Sequence, residues 1–321
     1  MTGIFPLVLK KCADFGILGC YTKALMRVLL ATIASLTMVG IIILATRIWG
    51  LGQTFQEYKS PYMDGKAPYV AVKTHTLAKM QEAIDARPDV ILWADVRVSN
   101  NRVPFILPPS RDVEFLNAKM EEQKANPTAQ IMTSSKLSGF SFEQINEFYK
   151  STPALKELYE KFPHQRFILN VVDNVTDVDS IVANAVQDYK SENRTLIQSD
   201  ANVITNAIKS LQPTWLYGTT KPDLMRLMSF DSLWVLPSTQ FKGDVFVAPF
   251  KIAKRPAFND AVIEEMRRRK KKIFLIVENE EEFKRAMEIK ADGLIVNDIK
   301  QINSWLPITA AEPTATPTST K

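Results

Sequence analysis

From residue 68 to residue 307 the chain alternates short apolar runs with longer stretches of helical spacing. Few folds tolerate that pattern for about 240 residues. The strand-like runs fall at 69–72, 90–92, 167–172, 195–198, 215–217, 245–248, 273–277 and 294–296. Between them, Leu77, Met80 and Ile84 share one helical face, as do Val178, Ile181 and Val182, then Val203, Ile204 and Ile208. Phe283, Ala286 and Met287 mark the helix before the last strand. Repeated strand–helix units of this kind favour one closed parallel barrel, a TIM (β/α)8 barrel, over a doubly wound sheet. No glycine signature for a dinucleotide or a nucleotide phosphate follows any of these strands.

Ahead of the barrel lies a segment of different character. Residues 28–46, VLLATIASLTMVGIIILAT, carry no charge and are bracketed by Arg27 and Arg47. Nineteen helical residues reach about 30 Å, the thickness of a bilayer's hydrocarbon layer. Trp49 stands where an interfacial aromatic is expected. No small-residue cleavage site follows the apolar run, so a retained transmembrane helix is expected rather than a cleaved signal. Lys10, Lys11, Lys23 and Arg27 precede the span. Their bias predicts a cytoplasmic N-terminus and a barrel on the extracytoplasmic, periplasmic side.

The formal charge of +5 belongs mostly to this end. Residues 1–50 hold five cations against Asp14, a net +4, which leaves +1 for the remainder. Such a balance excludes a nucleic-acid partner, because neutralising a phosphate backbone takes a clustered excess of cations. Cys12 and Cys20 both precede the span, and His75 and His164 are the only histidines. The globular part therefore has no thiol nucleophile and no means of building a zinc–thiolate or histidine-rich metal site. The expected organisation is a cytoplasmic segment 1–27, a transmembrane helix 28–49, a polar linker 50–67, a barrel 68–308 and a Pro/Thr-rich disordered tail 309–321.

Chemistry is sought first in residues 89–109, DVILWADVRVSNNRVPFILPP. Trp93, Asp95 and Arg97 share a strand face by alternation. Asp95 is the one carboxylate deep in the run, and a carboxylate there is costly unless it is paired or bound. Asp95 and Arg97 are candidate catalytic residues, and Asp95 is a candidate metal ligand.

From about residue 69 to residue 305 the chain resembles the glycerophosphodiester phosphodiesterases. The run 273–300, IFLIVENEEEFKRAMEIKADGLIVNDIK, is similar to their last two strands and the helix between. Gln198-Ser199-Asp200 resembles a middle-strand serine motif, and 138–148 resembles the helix after the catalytic insertion. The resemblance implies a barrel with a carboxylate-held divalent cation and histidines that trade protons. This sequence departs from it at those places. Where the family has His-Arg-Gly and then Glu-Asn-Thr, the first strand runs Val72-Lys73-Thr74 into His75. Trp93-Ala94-Asp95 stands for Glu-Leu-Asp, Pro108-Pro109 for His-Asp, and Val172, followed by Asp173, for a metal-binding Glu. The resemblance thus adds Lys73, in place of the family's Arg, as a candidate catalytic residue, and Asp173 as a candidate metal ligand beside Asp95. One aspartate cannot clamp a hard cation tightly, and proline has no proton to give.

The expected function is that of a membrane-anchored, catalytically inactive barrel acting as a binding or scaffold module, with no cofactor. Its expected partners are membrane lipid and either a protein or a phosphodiester-like ligand. The alternative is a divergent metal-dependent phosphodiesterase using Ca²⁺ or Mg²⁺ at a rearranged site. Arg267, Arg268, Arg269, Lys270, Lys271 and Lys272 form six consecutive cations. They read either as a solvated helix end or as a contact with anionic headgroups at the base of the barrel.

Overall fold

A computed structural model describes residues 5–126 and 134–306, so the expected tail at 309–321 lies outside the described residues. The chain divides into two compact units. One is residues 1–53 with 230–239, and the other is residues 54–229 with 240–321.

The first unit is built on one helix, Phe5–Leu51. Its segment Leu25–Leu51 contains an 18-residue stretch of mean hydropathy 2.6, and among the described residues only this helix is long and apolar enough to cross a membrane. The hydroxyls of Thr32, Thr37 and Thr46 donate to the carbonyls four residues earlier at 2.9, 2.9 and 2.7 Å. These three hydroxyls are thus satisfied within the helix, which is compatible with an apolar surrounding. Residues 230–239 pack on its end. Arg47 Nη1 donates to the Trp234 carbonyl at 2.8 Å, and the guanidinium lies 5.9 Å from the Trp234 ring centroid. A Cβ on Gly50 would come within 2.4 Å of the Pro237 and Ser238 backbone, so only glycine fits this approach.

The second unit is the expected TIM barrel. Its strands are β1 (Tyr69–Lys73), β2 (Ile91–Val98), β3 (Pro104–Ile106), β4 (Arg166–Val171), β5 (Thr195–Gln198), β6 (Leu216–Tyr217), β7 (Val245–Pro249), β8 (Lys251–Ile252), β9 (Arg255–Pro256), β10 (Lys272–Ile276) and β11 (Gly293–Val296). Eight of them lie side by side in the order β6-β5-β4-β2-β1-β11-β10-β7, every pair parallel. β3 adds antiparallel to β2, and β8 with β9 forms a separate hairpin. Between β6 and β7 there is no ladder. The seam is closed instead by Asp244 N to Tyr217 O at 2.7 Å and Tyr217 N to Asp244 Oδ2 at 3.2 Å. Thr219 Oγ1 completes it, donating to Val245 O at 3.3 Å and accepting from Val247 N at 2.9 Å.

Inward-facing side chains fill the barrel. They include Tyr69, Ala71, Ile91, Trp93, Ile168, Leu196, Val245, Phe274 and Ile295. Tyr62 belongs to the same cluster and is fully buried, although it lies in the stretch read from sequence as a free linker. From residue 54 the chain belongs to the barrel unit. The short turn Pro61–Met63 is capped by the Ser60 side chain and puts Tyr62 among the N-terminal strand ends. Its hydroxyl donates to Phe167 O at 3.2 Å. Arg166 fastens the turn by donating to the carbonyls of Tyr62 and Asp64 at 3.0 Å each. A polar, Pro-containing segment reads as a linker because its one large buried ring has no local pattern to announce it.

Replacing Tyr62 by alanine empties the floor of the barrel and is expected to cost about 3–5 kcal/mol. Tyr62→Phe, which removes only the hydroxyl, is expected to cost about 1 kcal/mol. Urea unfolding of the full chain in nanodiscs, followed by near-UV circular dichroism, measures both. A change below about 0.5 kcal/mol in the alanine variant would return the segment to a tether.

Candidate functional site

In a parallel barrel the strands' C-terminal ends converge on one mouth, so residues at those ends meet whatever their separation in sequence. The register places Lys73 beside Trp93, Asp95 beside Asn170, and Asn170 beside Gln198. Asp95 is buried, at 7% exposure. Its Oδ1 accepts from Trp93 Nε1 at 3.0 Å and from Asn170 Nδ2 at 2.6 Å. Its Oδ2 faces His75 Nδ1 at 3.8 Å, beyond hydrogen-bond reach. The carboxylate thus sits among neutral donors, with two cationic or titratable neighbours.

Those neighbours are tuned by burial. Lys73 has its ammonium 5.6 Å from the Trp93 ring centroid. Burial lowers its pKa, while Asp95 and Glu278 raise it, and the net direction is down. For His75 burial is again the largest effect and lowers the pKa. Asp95 raises it, Lys73, Lys79 and Arg111 lower it, and the imidazole ends below its usual 6.5.

Arg97 is not part of the mouth. It is 3% exposed and lies between two carboxylates. Its Nε donates to Asp173 Oδ2 at 2.9 Å, and its Nη1 and Nη2 donate to the two Asp112 oxygens at 2.5 and 2.9 Å. Asp173 also accepts from Val98 N at 3.0 Å. Burial works against the charged guanidinium, but the hydrogen bonds to Asp112 and Asp173 outweigh it and raise its pKa. Arg97 therefore does not pair with Asp95, although alternation puts both on one strand face. Asp173, a candidate metal ligand, is committed to Arg97. Sequence could not distinguish these outcomes, because alternation fixes a side chain's face and not its partner.

Nor do the residues present fit the divalent cation implied by the resemblance. Among the described residues no three His, Cys, Asp or Glu side chains converge. Asp95 alone remains, with Lys73 beside it, and one carboxylate next to an ammonium is a poor donor set for a hard cation. Ser199 of the serine motif serves the backbone. It donates to Val171 O at 2.7 Å and accepts from Ala201 N at 3.2 Å.

The mouth opens into a cavity of about 240 Å³ lined by Trp93, Asn170, Gln198, Asp200, Lys221 and Lys251, among others. Gln198 Nε2 donates to Thr219 O at 2.7 Å, and its buried Oε1 has no partner. Gly218 permits this, since a Cβ there would meet Gln198 Oε1 at 1.9 Å. Lys221 and Lys251 are exposed, and among the described residues no carboxylate pairs with either. Asn170, Lys221 and Lys251 were not singled out from sequence, and His75 and Gln198 were noted there but not as site residues. Asn170 had a visible signal, as the one amide inside an apolar strand; the lysines had none.

The basic run also differs from expectation. Arg268 and Arg269 both pair with the buried Glu265, at 2.7 and 2.5 Å, and both guanidinium groups lie over Phe55, at 5.1 and 5.3 Å. Lys271 is half-buried near Asp244, and Lys272 lies 3.4 Å from both Glu57 and Asp292. Only Arg267 and Lys270 are exposed, so the expected headgroup contact of about 1 kcal/mol per cation is available to two residues and not six.

No protein-family model matches this sequence, and no curated protein does. Solved structures do match in fold. The glycerophosphoryl diester phosphodiesterase domain of an uncharacterised protein from Mycobacterium tuberculosis superposes with a TM-score of 0.55 at 15% identity, over 75% of this chain and 99% of that one. A glycerophosphodiester phosphodiesterase from Agrobacterium tumefaciens gives 0.51 at 11% identity, over 74% and 99%. One from Parabacteroides distasonis gives 0.51 at 10% identity, over 74% and 96%. The chain therefore has the fold of a phosphodiesterase-type barrel. At such identities the likeness carries fold and not activity.

The arrangement around Asp95 makes a signed prediction. His75 is expected to titrate below 6.5, so it favours the folded state above that pH and opposes it as pH falls. Asp95→Asn removes the anion that raises this pKa and is expected to lower it further. Histidine C2-proton exchange read by mass spectrometry follows both. A rise in the variant would mean that Asp95 and His75 do not interact.

Proposed function

We propose that the chain is a membrane-anchored binding module whose barrel mouth takes a phosphodiester-like anion and does not hydrolyse it. The helix Leu25–Leu51 supplies the anchor. The four Lys/Arg before residue 28 favour a cytoplasmic N-terminus, with the barrel outside the cytoplasm. The observation that carries the reading is the charge at the mouth. Lys221 and Lys251 line the cavity without ion pairs, and Asp95 has one oxygen occupied by Trp93 and Asn170. An anion is therefore attracted by the protein's own cations, with no need of a bridging metal. Hydrolysis needs more than attraction. A water must be activated and the leaving oxygen protonated, and Pro108-Pro109 stand where the resemblance places the acid.

The test uses the full chain in nanodiscs with glycerophosphoglycerol, a soluble anionic phosphodiester. Calorimetry is expected to show binding without added Ca²⁺ or Mg²⁺. Lys221→Gln with Lys251→Gln is expected to weaken binding by about tenfold or more, since hydrogen bonds to charged groups contribute about 1.5–3 kcal/mol each. Phosphorus NMR is expected to show the diester intact after prolonged incubation with either metal. Metal-dependent release of glycerol phosphate that disappears in Asp95→Ala would overturn the proposal in favour of a working phosphodiesterase.

A further inference from the structure

Beside the mouth cavity, the exposed start of the helix Lys221–Ser232 and the β8–β9 hairpin enclose an open groove of about 760 Å³. Its walls are mainly apolar, with Leu224, Met225 and Met228 on one side and Ile252, Pro256 and Ala257 on the other. Met225 is 63% exposed. The groove adjoins the mouth cavity, and Lys221, Leu224 and Ile252 line both. Its volume lies within the range of roughly 300–1,000 Å³ found for ligand sites. Methionine side chains suit an apolar partner without fixed shape, being unbranched and polarizable.

Charge is distributed unevenly across the two adjoining cavities. Lys221 and Lys251 stand at the mouth end, and Lys254 and Arg255 are on the hairpin. Among the described residues none of the four has a carboxylate partner, whereas Arg97, Arg268, Arg269 and Lys272 are all ion-paired. The hairpin is turned by Ala253 and Lys254, at φ 49° and 66°, in the left-handed region that two-residue hairpin loops require and that glycine or asparagine usually fills. The chain accepts this steric cost to hold a short basic hairpin over the groove.

We propose that the groove holds the apolar chain of a single-chain phosphodiester lipid whose head group lies in the mouth. The pairing of a cationic pocket with one adjoining apolar channel matches an anionic head carrying one hydrocarbon tail. A hydrophilic peptide would leave the Met225 and Met228 surface unmatched, and a free diester would leave the groove empty. The inference rests on the reading that the mouth takes a phosphodiester anion, and it names the class of molecule that brings the anion there.

The experiment uses the full chain in phosphatidylcholine nanodiscs. The probe is a lauroyl lysophosphatidylglycerol with a diazirine at the end of its chain, and the adducts are located by peptide sequencing after irradiation. Labelling is expected on the peptides holding Met225–Met228 and Ile252–Ala257, and excess glycerophosphoglycerol should suppress it. Met225→Glu with Met228→Glu is expected to lower labelling by about tenfold or more, since a charge in the groove opposes burial of the chain. Binding of glycerophosphoglycerol by the same variant should be unchanged. Should that variant fail to fold, Met225→Gln at its exposed position is expected to act in the same direction. If glycerophosphoglycerol binds but the probe labels only residues 25–51, the groove proposal falls and the reading of the mouth stands. Failure of both probes to bind the mouth overturns both. Groove labelling that neither glycerophosphoglycerol nor Lys221→Gln/Lys251→Gln diminishes would show a tail site unconnected to the mouth, which also overturns the proposal.

Discussion

The seam between β6 and β7 governs the site, because two residues of β6 cannot supply the ladder that closes a barrel. Asp244 takes over by accepting from Tyr217 N through its side chain while its own N–H donates to Tyr217 O. Lys209 lies 3.1 Å from Asp244 and 4.9 Å from the Tyr217 ring centroid, which keeps the carboxylate paired. Thr219 then spans the strands from the other end, using its hydroxyl as donor and acceptor. A seam held by side chains leaves the backbone after β6 free to turn early. That turn brings Gly218 against Gln198 and starts the next helix at Lys221. The mouth cavity, its lysine and the head of the apolar groove all follow from this closure.

Carboxylates elsewhere in the unit are spent on joining parts of the fold. Arg97 ties β2 to Asp112 at the start of a helix in the insertion and to Asp173 after β4, with every nitrogen of its guanidinium used. A buried guanidinium is tolerated only with such a full set of acceptors, and removing one partner would strand a charge in the interior. Glu265 does similar service at the other end, holding Arg268 and Arg269 against Phe55 from the segment that plugs the floor. Burial raises its pKa and the two arginines lower it further, so it stays below the usual carboxylate value.

The barrel was legible because its strands are buried on both faces and its helices on one, so the two periodicities alternate plainly. The mouth was partly legible: Asp95 stood out as a lone carboxylate in an apolar run, and it is indeed there. What could not be read were contacts between residues far apart in the chain. Tyr62 meets Phe167 across 105 residues, and Arg97 meets Asp173 across 76. Each lies in a stretch whose local pattern says linker or strand and nothing of a partner. The six-cation run shows the same limit in reverse. Consecutive like charges suggest an open surface, yet Glu265 one turn earlier on the same helix, with Glu57 and Asp292 from elsewhere in the chain, draws Arg268, Arg269 and Lys272 into ion pairs.

A phosphodiester is an anion, so any site that holds one has to supply positive charge. A metal-dependent site does so with a divalent cation, whose own carboxylates then consume much of that charge. Here the order is inverted. Asp95, Asp200 and Glu278 face Lys73, Lys221 and Lys251 around the mouth, with Lys254 and Arg255 on the adjoining hairpin. Cations outnumber carboxylates before any ion is added, and a further divalent cation would be repelled by Lys73 beside the one inward-facing ligand. The side chains that make a poor metal clamp are thus the ones that leave a net positive mouth. On the proposed reading, lysines that bear equally on a bound diester and on its transition state would stabilise both alike, and uniform stabilisation of that kind favours holding over cleaving.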